Sequence, residues 1–336
     1  MKVEQMEVPT LEDIRLTSDR NRPFIIETPI HEWRGREIDG LTGPATKVVV
    51  KLELFQHSGT FKARGAITNM MALDSEALKR GVTAVSAGNH AIATSYAASR
   101  LGSPAKVVML ASADPARVQR AEAYGAEVLM APTGPEAFAL AEKIAATEGR
   151  TFIHPFEGPN VTLGTGTLGL EFNQQAGPLD AIIVPIGGGG LCSGVSLATK
   201  LINPACRVYG VEPEGADTMR RSLEAGSPQS LEKVATIADS LAPPYALPYS
   251  FALCRDNVDK LVLVDDDAIR RAMAVLFREL KLALEPAAAV ATAALIGPLR
   301  DELAGKRVGI IICGANIALD RFCGHVEQGI AQTGLE

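Results

Sequence analysis

The residue with the most chemical promise is Lys62, within Ser58-Gly59-Thr60-Phe61-Lys62-Ala63-Arg64-Gly65-Ala66. A turn of small residues leads into a lysine at the start of a predicted helix. An amine partly desolvated beside the positive end of a helix has a lowered pKa and becomes nucleophilic. A lysine alone is most often a surface charge, so its companions decide. Ser86-Ala87-Gly88-Asn89-His90 joins a strand to a helix. Backbone amides there favour a carboxylate or phosphate, with Ser86 and Asn89 as further donors. An ordinary helix cap reads equally well. Gly187-Gly188-Gly189-Gly190-Leu191 follows the apolar run AIIVPI. Four glycines let amides converge on an anion with no Cβ in the way. The segment is neither GxxxxGK[ST] nor GxGxxG with an acidic partner, so a phosphate cup and a tight turn both fit. Cys313-Gly314-Ala315-Asn316 closes the run VGIII. A thiol there either touches a ring heteroatom or is a buried, inert side chain.

These segments need a frame. Short β-branched runs alternate with amphipathic or Ala-rich stretches. The strand candidates are 48–52, 82–87, 106–110, 127–130, 181–186, 207–212, 260–264 and 308–313. Helices are predicted over 62–72, 90–101, 115–124, 135–147, 160–176, 190–202, 267–281, 287–298 and 316–333. Such alternation implies an α/β protein of open, mostly parallel sheets with helices on both faces. Residues 78–156 read as a small α/β unit, and 1–77 with 157–336 as a larger one. Ligands of open α/β sheets sit beyond the carboxyl ends of strands. Segments 86–90, 187–191 and 313–316 all fall there.

The 336 residues exceed one hydrophobic core, which also points to two lobes. With 47% hydrophobic and 21% charged residues, the composition is that of a globular enzyme. A net charge of -6 without a Lys/Arg run argues against nucleic acid and anionic membrane as partners. The opening MKVEQMEVPTLEDIRL lacks the apolar core of a signal peptide. The longest uncharged stretch, Ala181 to Thr199, is broken by Pro185 and the glycines and suits no membrane span. Five cysteines without CxxC spacing fit reduced thiols in a cytoplasm. No repeat or low-complexity block stands out.

Taken together, SGTFKARGA (58–66), SAGNHA (86–91), PIGGGGLCSG (185–194), GVEPEGAD (210–217), EPAAA (285–289) and CGAN (313–316) resemble one family. The chain resembles a serine/threonine dehydratase of the fold-type-II pyridoxal-phosphate (PLP) enzymes, the tryptophan-synthase β-like group. The resemblance implies two lobes with the active site in the cleft between them. It implies a small amino-acid substrate and a homo-oligomer, dimer or tetramer. By the family pattern Lys62 carries PLP as a Schiff base, with Phe61 packed beside it. Asn89 bonds the phenolic oxygen, and Gly187, Gly188, Gly189, Gly190 and Leu191 hold the phosphate. Ser86, Ala87, Asn89 and His90 line the loop that receives the substrate carboxylate, with Ser58 and Thr60 nearby. Glu285 falls near the ring, and Cys313 faces the pyridine nitrogen. A neutral thiol there does not enforce a protonated ring, which favours prompt loss of a β-leaving group over transamination. Lys62 then serves as carrier and as the base that removes the Cα proton.

Departures from the pattern narrow the expectation. Serine racemases have a Ser where this chain has Ala87, so racemisation is expected to be poor. Ala63 and His90 argue against β-replacement and γ-phosphate elimination. Metal-bound relatives use a Glu, a carbonyl four residues on and an acid six on. Here these are Glu212, Ala216 and Thr218, so the third carboxylate is missing, and a monovalent or divalent cation is an open alternative to a solvated turn. The segment from Cys313 to Glu336 has room for one closing helix and no regulatory module, which suggests a catabolic or unregulated form. The expected activity is a PLP-dependent ammonia-lyase acting on L-threonine and/or L-serine. The alternative is a lyase for a 3-substituted serine such as 3-hydroxyaspartate or phenylserine. An aspartate-type substrate needs an added basic group, and the sequence points to none. Serine racemase and a non-catalytic PLP-binding protein stand behind these.

Overall fold

The structure is a computed structural model that describes residues 6–333. The first residues of the polar opening (1–5) and the last three of the chain (334–336), which fall within the larger expected unit, lie outside the described residues. In chain order the strands are β1 (Ile30–Trp33), β2 (Lys47–Leu52), β3 (Val82–Val85), β4 (Ala105–Leu110), β5 (Glu127–Ala131), β6 (Thr151–Phe152), β7 (Ala181–Pro185), β8 (Arg207–Pro213), β9 (Lys260–Val264) and β10 (Arg307–Ile312). They form a six-stranded sheet, β1-β2-β10-β7-β8-β9, and a four-stranded sheet, β5-β4-β3-β6. Every pairing is parallel except β1 with β2. The chain therefore has the α/β class expected, with helices between successive strands.

The centre of the larger sheet explains the sequence of its strands. In β7 and β10, Ala181–Pro185 and Val308–Ile312 are buried throughout. A strand covered on both faces has no polar side to alternate with, so it reads as a continuous apolar run. Helix Pro286–Ile296 is buried from Pro286 to Leu295 and fills one face. The edge strand β1 escapes sequence reading because its middle residues, His31 and Glu32, are exposed. Strand β6 escapes it because only two residues pair. Sequence reading also passes over helices Leu11–Asn21, Arg36–Thr42, Ser75–Arg80, Thr218–Ala225 and Pro248–Asn257. Three of these have eight or fewer residues and no extended apolar stripe. Tertiary packing rather than periodicity holds such elements.

The smaller sheet uses residues 82–152 alone. The apolar cluster against it also takes in Ala63, Ala66, Ile67 and Met70 of helix Lys62–Met71. That helix is anchored on its other side by charge. Arg64, fully buried, donates from Nε and Nη2 to the two oxygens of Glu53, each at 2.8 Å. Its Nη2 also reaches Glu171 Oε2 at 3.0 Å. Lys51 pairs with Glu171 and donates to the Thr28 carbonyl at 2.6 Å. Charges removed from water need this degree of pairing. The network joins β2, helix Lys62–Met71 and helix Pro159–Ala176, and so sets the height of Lys62.

Candidate active site

Lys62 opens its helix, and the turn before it is stitched to the end of β10. Thr60 bridges Gly314, Phe61 N donates to Cys313 O at 3.1 Å, and Ala315 N donates to Gly59 O at 3.0 Å. Ser58 takes a left-handed φ of 68°, the conformation this tight approach requires. The stitching sets Lys62 and Cys313 side by side. The Lys62 amine donates to Pro155 O at 2.6 Å. Burial pulls its pKa from 10.5 down to about 8, against the opposing pull of Cys313 and Glu285. A useful fraction of the amine is therefore neutral near pH 8. Burial, aided by Glu285, pushes the Cys313 thiol well above its ordinary value, so it stays protonated and neutral.

The glycines of segment 187–190 lie at the carboxyl end of β7 and lead into helix Gly190–Ile202. Gly189 has φ +91°, a region closed to most side chains. A Cβ on Gly188 would fall 2.4 Å from the Phe156 ring. The loop is therefore a backbone cradle in which no side chain fits. One cavity is lined by Phe61, Lys62, Asn89, Gly187 to Gly190, Leu191, Glu285 and Cys313. Asn89, at the start of helix Asn89–Leu101, donates to Glu285 Oε1 at 2.7 Å and to Ser240 Oγ at 3.2 Å. Its own carbonyl accepts from Asn316 Nδ2 at 2.7 Å. Burial, outweighing Arg117, pushes Glu285 up to about 7.

A cleft of about 240 Å³ opens above this cavity between the two sheets. Lys62, Ser86, Ala87, Asn89 and His90 line it. The Ser86 hydroxyl accepts from Gly88 N at 3.0 Å and shapes the turn. The His90 ring is engaged with the Ile153 carbonyl at 2.8 Å, and burial lowers its pKa to about 3. Residue 90 thus offers the cleft its place in a helical first turn, where backbone N–H groups favour anions, and no charge of its own. Ser58 and Thr60 are buried, line neither space, and have hydroxyls without a hydrogen-bond partner. Glu212 and Ala216 line neither space. Both Glu212 oxygens accept backbone N–H groups, from Met219 and Arg220, each at 2.8 Å. Asp217 is held by Arg220 and Arg221. Among the described residues no group of three or more His, Cys, Asp and Glu is placed to hold a metal ion. The Glu212 carboxylate thus caps helix Thr218–Ala225.

Sequence reading overlooked Pro155, Phe156, Arg117, Asp239 and Ser240. The cue for the first two was the proline-bracketed aromatic in HPFEGP just after β6. Arg117 and Asp239 carry no local cue. Arg117 donates from Nε to Asn316 O at 2.8 Å and from Nη1 to Asp239 Oδ2 at 2.9 Å.

A buried, partly neutral amine, a glycine cradle and a neutral thiol around one cavity fit a phosphorylated pyridine aldehyde. Comparison with known proteins agrees. The family model for pyridoxal-phosphate dependent enzymes spans residues 22–314. The chain belongs to that family. Phenylserine dehydratase of Ralstonia pickettii is 52% identical over 328 residues, covering 97% of this chain and 99% of that one. L-threo-3-hydroxyaspartate ammonia-lyase of Saccharomyces cerevisiae is 35% identical over 318 residues, covering 94% and 96%. The structure of maize serine racemase aligns with a TM-score of 0.89 at 34% identity, covering 98% of this chain and 100% of that one. Membership confirms the expected fold type and the PLP cofactor. The protein is a PLP-dependent lyase of the ammonia-lyase type. Bound in such a site, the cofactor supplies the electron sink that stabilises negative charge at the substrate Cα. Among the described residues no helix is long and apolar enough to cross a membrane.

Proposed function

We propose that the substrate is a serine carrying an apolar group at C3, phenylserine first among the candidates, converted to its 2-keto acid and ammonia. The carrying observation is the charge state of the cleft. Arg117 is the cation among its lining residues other than Lys62. Its guanidinium is held by Asp239 and lies 3.5 Å from Glu285 Oε2. An aspartate-type side chain would meet a cation already neutralised, and Asp239 would repel it. Leu110, Pro243 and Pro244 face the same space. The reading from sequence put threonine and serine ahead of a 3-substituted serine. The 52% identity to an enzyme named for phenylserine reverses that order.

In this reading Lys62 holds the cofactor, and its neutral amine takes the Cα proton, as a pKa of about 8 permits. The first turn at Asn89, with Ser86 and Ala87, receives the carboxylate. The glycine cradle and Leu191 hold the phosphate, Asn89 and Glu285 face the ring, and Cys313 meets its nitrogen. Assembly as a dimer or tetramer and a cytoplasmic location belong to the same proposal. The test is keto-acid formation by the holoenzyme from phenylserine, threonine, serine and 3-hydroxyaspartate. Phenylserine should exceed threonine at least tenfold in kcat/KM, with 3-hydroxyaspartate lowest. A preference for 3-hydroxyaspartate, or no keto acid from any of them, overturns the reading.

A further inference from the structure

Phe138, Tyr245 and Phe156 come from three different segments and meet at the wall of the cleft. Phe138 lies on helix Gly134–Glu148, which packs on the smaller sheet. Its ring meets Tyr245 edge-on at 6.3 Å, and Tyr245 meets Phe156 at 6.0 Å. Phe156 is the ring that closes over Gly188, so its position is set by the cradle. Phe138 and Tyr245 have no such duty there. Phe138 is also backed by Phe152 at 6.2 Å, which holds its ring from behind.

We infer that Phe138 and Tyr245 form an aryl seat that selects the C3 substituent of the substrate; this deepens the proposed reading and rests on it. Aromatic rings prefer edge-to-face or offset contact at centroid separations of this order, and the Phe138–Tyr245 pair, both rings of which line the cleft, can extend such packing to a third ring. With Leu110, Pro243 and Pro244 the two rings give the cleft an apolar wall. A methyl group in the same space covers far less of the two rings than a phenyl group does. Gly134 lines the cleft as well, and a Cβ added there would meet nothing within 4 Å. The seat is therefore open at that corner, where a bulkier residue would narrow it.

The test uses holoenzyme in four forms: wild type, Phe138→Ala, Tyr245→Phe and Gly134→Val. Two quantities are read. One is the ratio of kcat/KM for phenylserine to that for threonine. The other is the affinity for unreactive L-phenylalanine relative to L-2-aminobutyrate, followed by cofactor absorbance. Phe138→Ala should lower both ratios at least tenfold, through KM more than kcat. Tyr245→Phe keeps the ring and should hold both ratios within about twofold, since ring contact and not the hydroxyl makes the seat. Gly134→Val should lower both by narrowing the seat, and it reports on the seat even if Phe138→Ala fails to fold. Unchanged ratios in Phe138→Ala and Gly134→Val, or equal losses on both substrates, overturn the seat. If wild type yields no keto acid from either substrate, the proposed reaction fails, while the L-phenylalanine measurement still judges the seat.

Discussion

The Phe156 ring closes over Gly188 so tightly that a Cβ there would lie 2.4 Å from ring carbons. Gly188→Ala must therefore displace either the ring or the cradle. We expect cofactor affinity to fall at least tenfold and stability to fall by about 1–3 kcal/mol, the usual cost of overpacking. Titration of the apoprotein with PLP checks the first and urea unfolding the second. Unchanged affinity would mean that the phosphate binds elsewhere.

Lys62 reacts with an aldehyde only as the neutral amine. Burial places its pKa at about 8, so the neutral form grows as pH rises through 8 rather than through 10.5. The rate of PLP incorporation into apoprotein should rise with pH and level off above that point. A rate still climbing near 10.5 would show an ordinary, exposed lysine. Lys62→Ala should leave no borohydride-reducible adduct and no turnover; full activity in this variant would refute the assignment.

Without the Glu53 carboxylate, the buried Arg64 and Lys51 are left to share Glu171, one positive charge in excess. Glu53→Gln should cost about 3–5 kcal/mol in chemical denaturation. Burial pushes Glu53 up, but the Arg64 guanidinium outweighs it and holds the carboxyl below its ordinary value of 4.5. The stability this supplies is therefore complete above 4.5 and is lost as pH falls through the lower folded value. The acid limb of a melting-temperature profile should be flatter in Glu53→Gln than in wild type. Equal limbs would assign the acid sensitivity to other groups.

Ala87 lines the cleft together with Lys62 and carries no proton donor. Ala87→Ser adds a hydroxyl where serine racemases have one. Chiral chromatography of L-serine incubated with this variant should detect D-serine, at a rate at least tenfold above wild type. Equal rates would show that residue 87 alone does not control the second face.

The α/β class was legible in the amino-acid order, as were Lys62, Asn89, the four glycines and Cys313. Each is a local signal: an apolar run ending in a turn, a helix start, a stretch with no Cβ. Such features depend on neighbours along the chain, so periodicity and composition reveal them. Edge strand β1 and the short polar helices were not legible, because exposed or brief elements leave no apolar rhythm.

What those residues touch depends on how the chain packs. The acceptor for Lys62 lies 93 positions away at Pro155, and the partner of Arg117 lies 122 positions away at Asp239. The sequence showed no basic group for an acidic substrate. One lines the cleft, yet it is already neutralised. Both Glu212 oxygens accept backbone N–H groups from a helix seven and eight residues on, a contact that only folding brings about. Electrostatic character belongs to distances of a few ångströms, and the packing of two sheets sets those distances.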